Sequence, residues 1–428
     1  MDTHVSHSIQ TLRCQAASLL LYQSVLHNEV GQAFLHLLQS LSNGVNKINC
    51  LQAYGNYFKA LAASNQSWQD YLIAQILRDD NPFSQQVQQT ETLPPALLAA
   101  AKQDLQALQS LYQCSSDTLS QWVQVVTGLQ TPLAVWDTQT QETYEIPFHQ
   151  TANWETLISD LAVYYSRFGS GLFANRALRW QAGEFVGISH PDSIQLDQLV
   201  GYELQKETLL NNTEFLLSGY SALHVLLYGS RGSGKSSLVK ALLNHYQKRN
   251  LRLIEVAKSD LKDLPEIVEK LRNLPQKFII FVDDLSFEED DDAFKALKVV
   301  LEGNLTARSQ NVVVYATSNR RHLIREFFDD RPRARDREEV HVWDTMQEKL
   351  SFSDRFGLTL TFEPADQKTY LSIIRHLAAQ AGISLSQEDL EYRALQWATR
   401  HNGRSGRTAR QFIDFLKAEL AVFGSSQA

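Results

Sequence analysis

The sequence predicts an α/β protein: a parallel sheet with helices on both faces, flanked by a mainly helical N-terminal domain and a helical C-terminal region. Three observations carry this prediction. From residue 197 onward, apolar runs alternate with helix-periodic segments, the pattern of strands joined by crossover helices. A glycine-rich turn, Gly229–Ser236, sits between one apolar run and one such helix. Before residue 190, apolar side chains recur instead at intervals of three or four, the period of an amphipathic helix.

Composition sets the limits. A chain of 428 residues exceeds one ordinary hydrophobic core, so two or three domains are expected. Hydrophobic residues at 43% and charged residues at 21% exclude a disordered or fibrous chain. A formal net charge of -8 leaves no global basic field of the kind that drives non-specific nucleic-acid binding. Cys14, Cys50 and Cys114 are odd in number and far apart, which fits neither a disulfide framework nor a zinc site. No run approaches ~18 apolar residues, and the first residues lack a secretory pattern. A cytoplasmic protein with reduced thiols and no membrane association is expected.

Within the first 190 residues, helices are expected near the start of the chain and at 51–63, 67–78, 95–112 and 117–127. Leu133 to Phe148 reads as a small hairpin about the polar segment Asp137 to Glu142. This part holds eight Lys and Arg and 14 Asp and Glu, whereas the remainder is densely charged. The shift, together with the turn-prone His190-Pro191-Asp192-Ser193, places a boundary near 190. The expected domains are 1–190, helical and a candidate partner-binding region; 191–365, α/β; and 366–428, helical. Strands are expected at Val225–Tyr228, Leu251–Val256, Phe278–Val282, Val312–Thr317 and Leu358–Phe362, with helices at about 236–249, 261–273 and 291–302.

Gly229-Ser230-Arg231-Gly232-Ser233-Gly234-Lys235-Ser236 satisfies the phosphate-loop pattern in full, and the expected strand and helix flank it. Glycines let successive backbone N–H groups turn inward toward phosphate oxygens, and the following helix N-terminus favours an anion. Lys235 is expected to reach the β- and γ-phosphates, and the Ser236 hydroxyl to be a ligand of Mg²⁺. Ser237 follows on the same first turn of the helix.

Phe278 to Asp284 is an apolar strand ending in two carboxylates, at the edge where such a sheet opens to ligand. Asp283 is the expected Mg²⁺-side group, acting through water. Asp284 occupies the position of a general base, with a side chain one methylene shorter than Glu, and Glu288 or Glu289 is a candidate substitute. Val312 to Asn319 is another apolar strand with a polar end, where Asn319 is placed to hydrogen-bond a γ-phosphate or an attacking water.

Arg355, before the last strand, is a candidate arginine finger directed at a neighbouring subunit, with an intramolecular salt bridge as the alternative. Arg320 and Arg321 compete for that role. Gly403 and Gly406 break the helical C-terminal region, and Arg407 falls in a first helical turn. There a cation is disfavoured unless an anion such as a phosphate compensates.

Residues from about 195 to the C-terminus resemble the bacterial AAA+ ATPases catalogued as domain of unknown function 815. The resemblance rests on seven blocks in order: Gly201-Tyr-Glu203, Gly229 to Ser237, Leu251 to Val256, Val282 to Glu289, Tyr315 to Ile324, Ser353 to Gly357, and Gly403 to Ala409. It implies a five-stranded sheet in which the strand carrying Asn319 lies between the phosphate-loop strand and the acidic strand, followed by a small helical lid. It also implies that Gly201 and Tyr202 lie near an adenine, and that the Asp283-Asp284 pair is a family feature. The expected cofactors are ATP and Mg²⁺. The expected function is an ATPase that assembles as a homo-oligomer through the Arg355 surface and remodels an unidentified macromolecular client. A slow nucleotide switch is the alternative, and a kinase using the same loop ranks third. The charged segment from Arg325 to Glu339 leaves nucleic acid open, but its balanced charge favours a solvated loop.

Overall fold

A computed structural model describes residues 3–43, 46–90, 92–136, 144–287, 292–302, 309–319, 352–401 and 403–423. The chain divides into two compact units, Met1–Ala174 and Asn175–Ala428.

The first unit is helical: α1 (Thr3–Ala17), α2 (Glu29–Asn43), α3 (Lys47–Ser64), α4 (Trp68–Arg78), α5 (Pro82–Gln86), α6 (Pro95–Tyr112), α7 (Ser116–Thr127) and α8 (Ile158–Phe168). Local chemistry marks the helix ends. The side chains of Asn46, Ser67, Asn81 and Ser115 accept N–H bonds at N-caps, and Asn65 and Gly128 adopt left-handed conformations at C-caps. The apolar stripes meet around Trp68, which stacks on Phe34 at 4.0 Å and donates its indole N–H to the Leu111 carbonyl at 2.9 Å. The fully buried Asp104 carboxylate accepts the N–H groups of Leu20, Leu21 and Tyr22, so the turn after α1 depends on one acid from α6. The expected hairpin falls partly on residues 137–143, outside the described residues. Its described flanks, Leu133–Trp136 and Tyr144–Ile146, form no strand. Leu133, Trp136 and Tyr144 pack against the helical core instead, where their apolar surface is better covered than in an isolated two-stranded ribbon.

The second unit begins with β1 (Ala177–Gln181) and β2 (Glu184–Gly187), followed by α9 (Glu203–Leu217), β3 (Val225–Gly229), α10 (Lys235–His245), β4 (Leu251–Glu255) and α11 (Leu264–Leu271). Next come β5 (Lys277–Val282), α12 (Asp292–Glu302), β6 (Val312–Ser318) and β7 (Leu358–Phe362). Three lid helices close the chain: α13 (Gln367–Gln380), α14 (Gln387–Arg400) and α15 (Gly406–Phe423).

The sheet runs β2-β1-β4-β5-β6-β3-β7. Its five parallel strands β4, β5, β6, β3 and β7 are the expected ones, with β6 between the phosphate-loop strand and the acidic strand. Strand β1 adds a further parallel edge to β4, and β2 pairs with it antiparallel. This hairpin moves the division between units ahead of the boundary expected near residue 190.

Alternate residues of the central strands, among them Val225, Leu227, Ile279, Phe281 and Val313, bury against α9 and α10. Their neighbours Leu226, Ile280 and Val314 are buried on the opposite face, so both faces are covered, as a parallel sheet requires. The lid helices hold a separate cluster around Tyr370, Ile374, Ala394, Phe412 and Leu416.

The core of this unit contains one polar knot. Tyr315 on β6 is fully buried, accepts from Asn212 Nδ2 at 3.0 Å, and shares a bond of 3.0 Å with the Thr213 hydroxyl, both on α9. Burial raises its phenol to about 12. Tyr315→Phe removes one bond from each partner, while Asn212 keeps its bond to the Leu223 carbonyl and Thr213 its bond to the Leu209 carbonyl, so it is expected to cost about 1 kcal/mol. That loss is measurable as a lower chemical-denaturation midpoint at unchanged slope.

Candidate functional site

The site forms where β3, β5 and β6 end on the same edge of the sheet. At the exit of β3, Gly229 has a φ of +137°, and a Cβ there would stand 2.0 Å from the Phe362 carbonyl of β7. Only glycine lets the chain leave the strand while Ser230 N–H bonds that same carbonyl at 2.9 Å. Gly232 and Gly234 are also left-handed, at +74° and +92°, which curls the loop back onto the start of α10. Among the described residues, the N–H groups from Gly232 to Ser236 have no protein acceptor. A half-buried run of unpaired donors at a helix N-terminus is a cradle for an anion.

Lys235 is only 6% exposed. Its ammonium donates to the carbonyls of Gly229 at 2.9 Å and Ser230 at 2.7 Å, and reaches Asn319 Oδ1 at 3.5 Å. Burial holds its pKa below the ordinary lysine value; Asp283 and Asp284 oppose that shift and Arg407 adds to it. Gly229 and Ser230, expected among the ligand-binding residues, lie behind the cavity wall. Their carbonyls orient Lys235, while Arg231 to Ser237 line the cavity.

Asp283 Oδ1 accepts from the Ser236 hydroxyl at 2.6 Å and from the Thr317 hydroxyl at 2.5 Å. Asp284 follows with a φ of +52°, a conformation that Asp and Asn tolerate better than longer side chains. Its N–H donates to the Thr317 hydroxyl at 3.0 Å, and its carboxylate accepts from Asn319 Nδ2 at 2.6 Å. The short acid at this position therefore has a backbone reason. Thr317 was missed in the sequence, although the two-residue period of a strand puts it on the same face as Asn319. It joins the Asp283 carboxylate to the Asp284 backbone.

The cavity measures about 670 Å³ and extends from the loop to Leu199, Val200, Gly201 and Tyr202, with α13 and α15 of the lid opposite. Tyr202 is left-handed at +60°, donates to the Glu363 carbonyl, and packs on Phe362 at 5.0 Å. Gly201 stands against Thr369 of the lid, where an added Cβ would lie 3.2 Å away. Arg407 reaches the loop from above: its N–H donates to the Gly232 carbonyl at 3.2 Å, and its side chain lines the cavity.

Arg355 does not line this cavity. It lies in a 3-10 turn just before β7 and forms an ion pair with Glu302, the intramolecular alternative left open by the sequence. Glu288, Glu289, Arg320, Arg321 and the charged segment 325–349 lie outside the described residues. Among the described residues no cluster of three or more His, Cys, Asp and Glu is poised for a metal. The Ser236 and Asp283 oxygens are instead the sparse, hard donor pair that suits a Mg²⁺ completed by phosphate and water. The residues present thus fit both a nucleotide phosphate and its metal.

A phosphate loop between strand and helix, an acidic strand end, an interposed strand bearing a polar end and a helical lid define an AAA+ type P-loop fold. Residues 173–420 match the model of the family described as "Protein of unknown function (DUF815)", and the chain belongs to that family. No curated protein is similar to it. Similar solved structures include the Thermotoga maritima RuvB Holliday junction branch migration motor, 16% identical, with a TM-score of 0.38, covering 54% of this chain and 66% of that one. A point mutant of the same motor is 17% identical with the same TM-score and covers 54% and 67%. This chain therefore spans just under two-thirds of the length of the first of these. No described helix is long and apolar enough to cross a membrane.

Thr317→Val keeps the strand's shape but removes the hydroxyl that links Asp283 to the Asp284 backbone. The variant is expected to fold, with Mg²⁺-dependent nucleotide affinity reduced about fivefold to tenfold, as titration calorimetry with and without Mg²⁺ would show.

Proposed function

We propose that this protein is a Mg²⁺-dependent ATPase of the AAA+ kind, which uses the nucleotide cycle to move its lid and act on a macromolecular partner. The observation that supports it is the convergence of Lys235, the Ser236-Asp283 pair and the Asn319-Asp284 pair on one cavity. Unpaired N–H groups of the loop would receive phosphate oxygens, and the Lys235 ammonium would exchange loop carbonyls for the β- and γ-phosphates. Ser236 would ligate Mg²⁺ directly and Asp283 through water, and the ion would neutralise charge on the phosphate chain. Asp284 would take a proton from the attacking water while Asn319 holds its carboxylate in place. Arg407 would supply positive charge from the lid, so that occupancy biases lid position through differential contacts.

In this reading, residues 191–365 form the nucleotide-binding core, 366–428 the moving lid, and the N-terminal helical unit receives the partner in the cytoplasm. Homo-oligomerisation through the Arg355 surface would require Arg355 to exchange Glu302 for a neighbour's nucleotide. A slower nucleotide switch is the second reading, favoured by the short reach of Asp284 and its bond to Asn319.

Lys235→Ala is expected to abolish measurable Mg-ATP binding. Asp284→Asn keeps the left-handed backbone and should leave ATP affinity within about twofold while lowering turnover about 100-fold or more. Affinity capture with that ATP-retaining variant would identify the partner. No magnesium-dependent affinity for any purine nucleotide would overturn the proposal; unchanged turnover in Asp284→Asn would remove Asp284 from the chemistry.

Arg355→Ala is expected to leave ATP binding intact and to abolish turnover together with nucleotide-dependent assembly, read by light scattering. Robust turnover by a protein that stays monomeric would reject the oligomeric arrangement.

A further inference from the structure

One wall of the cavity is a single helix, α15, and its polar side chains change character along its length. Arg407, Arg410, Gln411 and Asp414 all line the cavity, at the i, i+3, i+4, i+7 spacing that shares one helix face. The start of this helix is held against the phosphate loop. Gly232 carbonyl accepts from Arg407 N–H at 3.2 Å, and an added Cβ on Gly406 would stand 3.1 Å from the same oxygen. With a rise of 1.5 Å per residue, Asp414 lies about 10 Å farther along the axis than Arg407. That displacement leads away from the contact of the helix with the Gly232 carbonyl of the loop. Leu199, Val200, Tyr202, Ile373 and Leu377 add apolar walls to the cavity, the lining a planar base requires.

Among the acids of the described lid helices, Asp414 alone lines the cavity. Glu391 pairs with Arg375, Glu419 pairs with Arg393, and Asp366 caps the first turn of α13. Asp414 is exposed to the cavity and, among the described residues, has no hydrogen-bond or ion-pair partner. An ionised carboxylate can only accept hydrogen bonds, and it repels phosphate. In a cleft built for an anion, such a group is compatible only with the end of the ligand that offers donors. Lys235, Arg407 and Arg410 all lie on the loop side of Asp414, and Lys206 is paired with Glu203; the order of charges along α15 therefore favours phosphates toward the loop and hydroxyls toward Asp414.

We infer that Asp414 is the sugar-recognising residue of this site: it accepts a hydrogen bond from a ribose hydroxyl and so selects ribonucleotides over deoxyribonucleotides. The inference rests on the nucleotide-binding reading proposed above and adds to it the part of the ligand that Asp414 reads.

The test is equilibrium binding of Mg-ATP, 2′-deoxy-ATP and 3′-deoxy-ATP to the full chain and to Asp414→Ala and Asp414→Asn, with thermal unfolding to confirm that the exposed substitutions leave the fold intact. The unsubstituted chain is expected to bind at least one deoxy analogue about tenfold more weakly than ATP. Asp414→Ala is expected to bind ATP about tenfold more weakly and all three ligands within about twofold of one another. Asp414→Asn, which keeps a neutral acceptor, is expected to retain part of the preference. Lack of discrimination by the unsubstituted chain, or full discrimination by Asp414→Ala, overturns the inference while leaving nucleotide binding untouched. Absence of binding by every nucleotide would instead overturn the nucleotide reading and this inference with it.

Discussion

The hydrogen bond between the Ser236 hydroxyl and Asp283 joins the ends of two strands that are not neighbours. Strand β6 lies between β3 and β5, so the strands that deliver these residues are two ladder spacings apart, on the order of 10 Å. The gap closes because the phosphate loop curls over the end of β6 and because β6 contributes Thr317, whose hydroxyl bonds the same carboxylate oxygen. Everything the site does with charge depends on this arrangement. It places an anion-binding cradle, an ammonium and two carboxylates around one volume without allowing the opposite charges to collapse together.

That separation has a cost, met by the backbone rather than by side chains. Gly229, Gly232 and Gly234 carry the left-handed turns, and Asp284 accepts one as well. Lys235 is desolvated and held by carbonyl dipoles instead of by a direct carboxylate partner. Asn319 contacts both Lys235 and Asp284 and so links the buried cation to the acid that lies apart from it. The same loop supports the first turn of α15 through the Gly232 carbonyl, which accepts from Arg407 N–H.

Much of this was legible from residue patterns. The five parallel strands match the expected segments closely: β3, β4, β5 and β6 are apolar runs largely buried on both faces, while β7 alternates buried and exposed positions. The helices of the first unit follow their periodicity, and the loop from Gly229 to Ser236 is a local motif whose geometry is encoded within it. The β1-β2 hairpin was overlooked because its exposed alternate positions resemble loop composition. The expected hairpin within 133–148 was read from apolar pairs that the helical core takes up instead. Arg355 was recognisable as a cation before the last strand, but nothing in its neighbourhood announces Glu302, which lies 53 residues away.

The sequence by itself determined the phosphate loop, the acidic strand end and the order of strands and helices, because each depends on neighbours within a few residues. Only the tertiary structure decided that Thr317 binds both the Asp283 carboxylate and the Asp284 backbone, that Asp284 is left-handed, and that Asp414 faces the cavity from the lid. Those facts arise from contacts between segments far apart in the chain, where strand insertion and helix docking choose the partners and no local pattern records the choice.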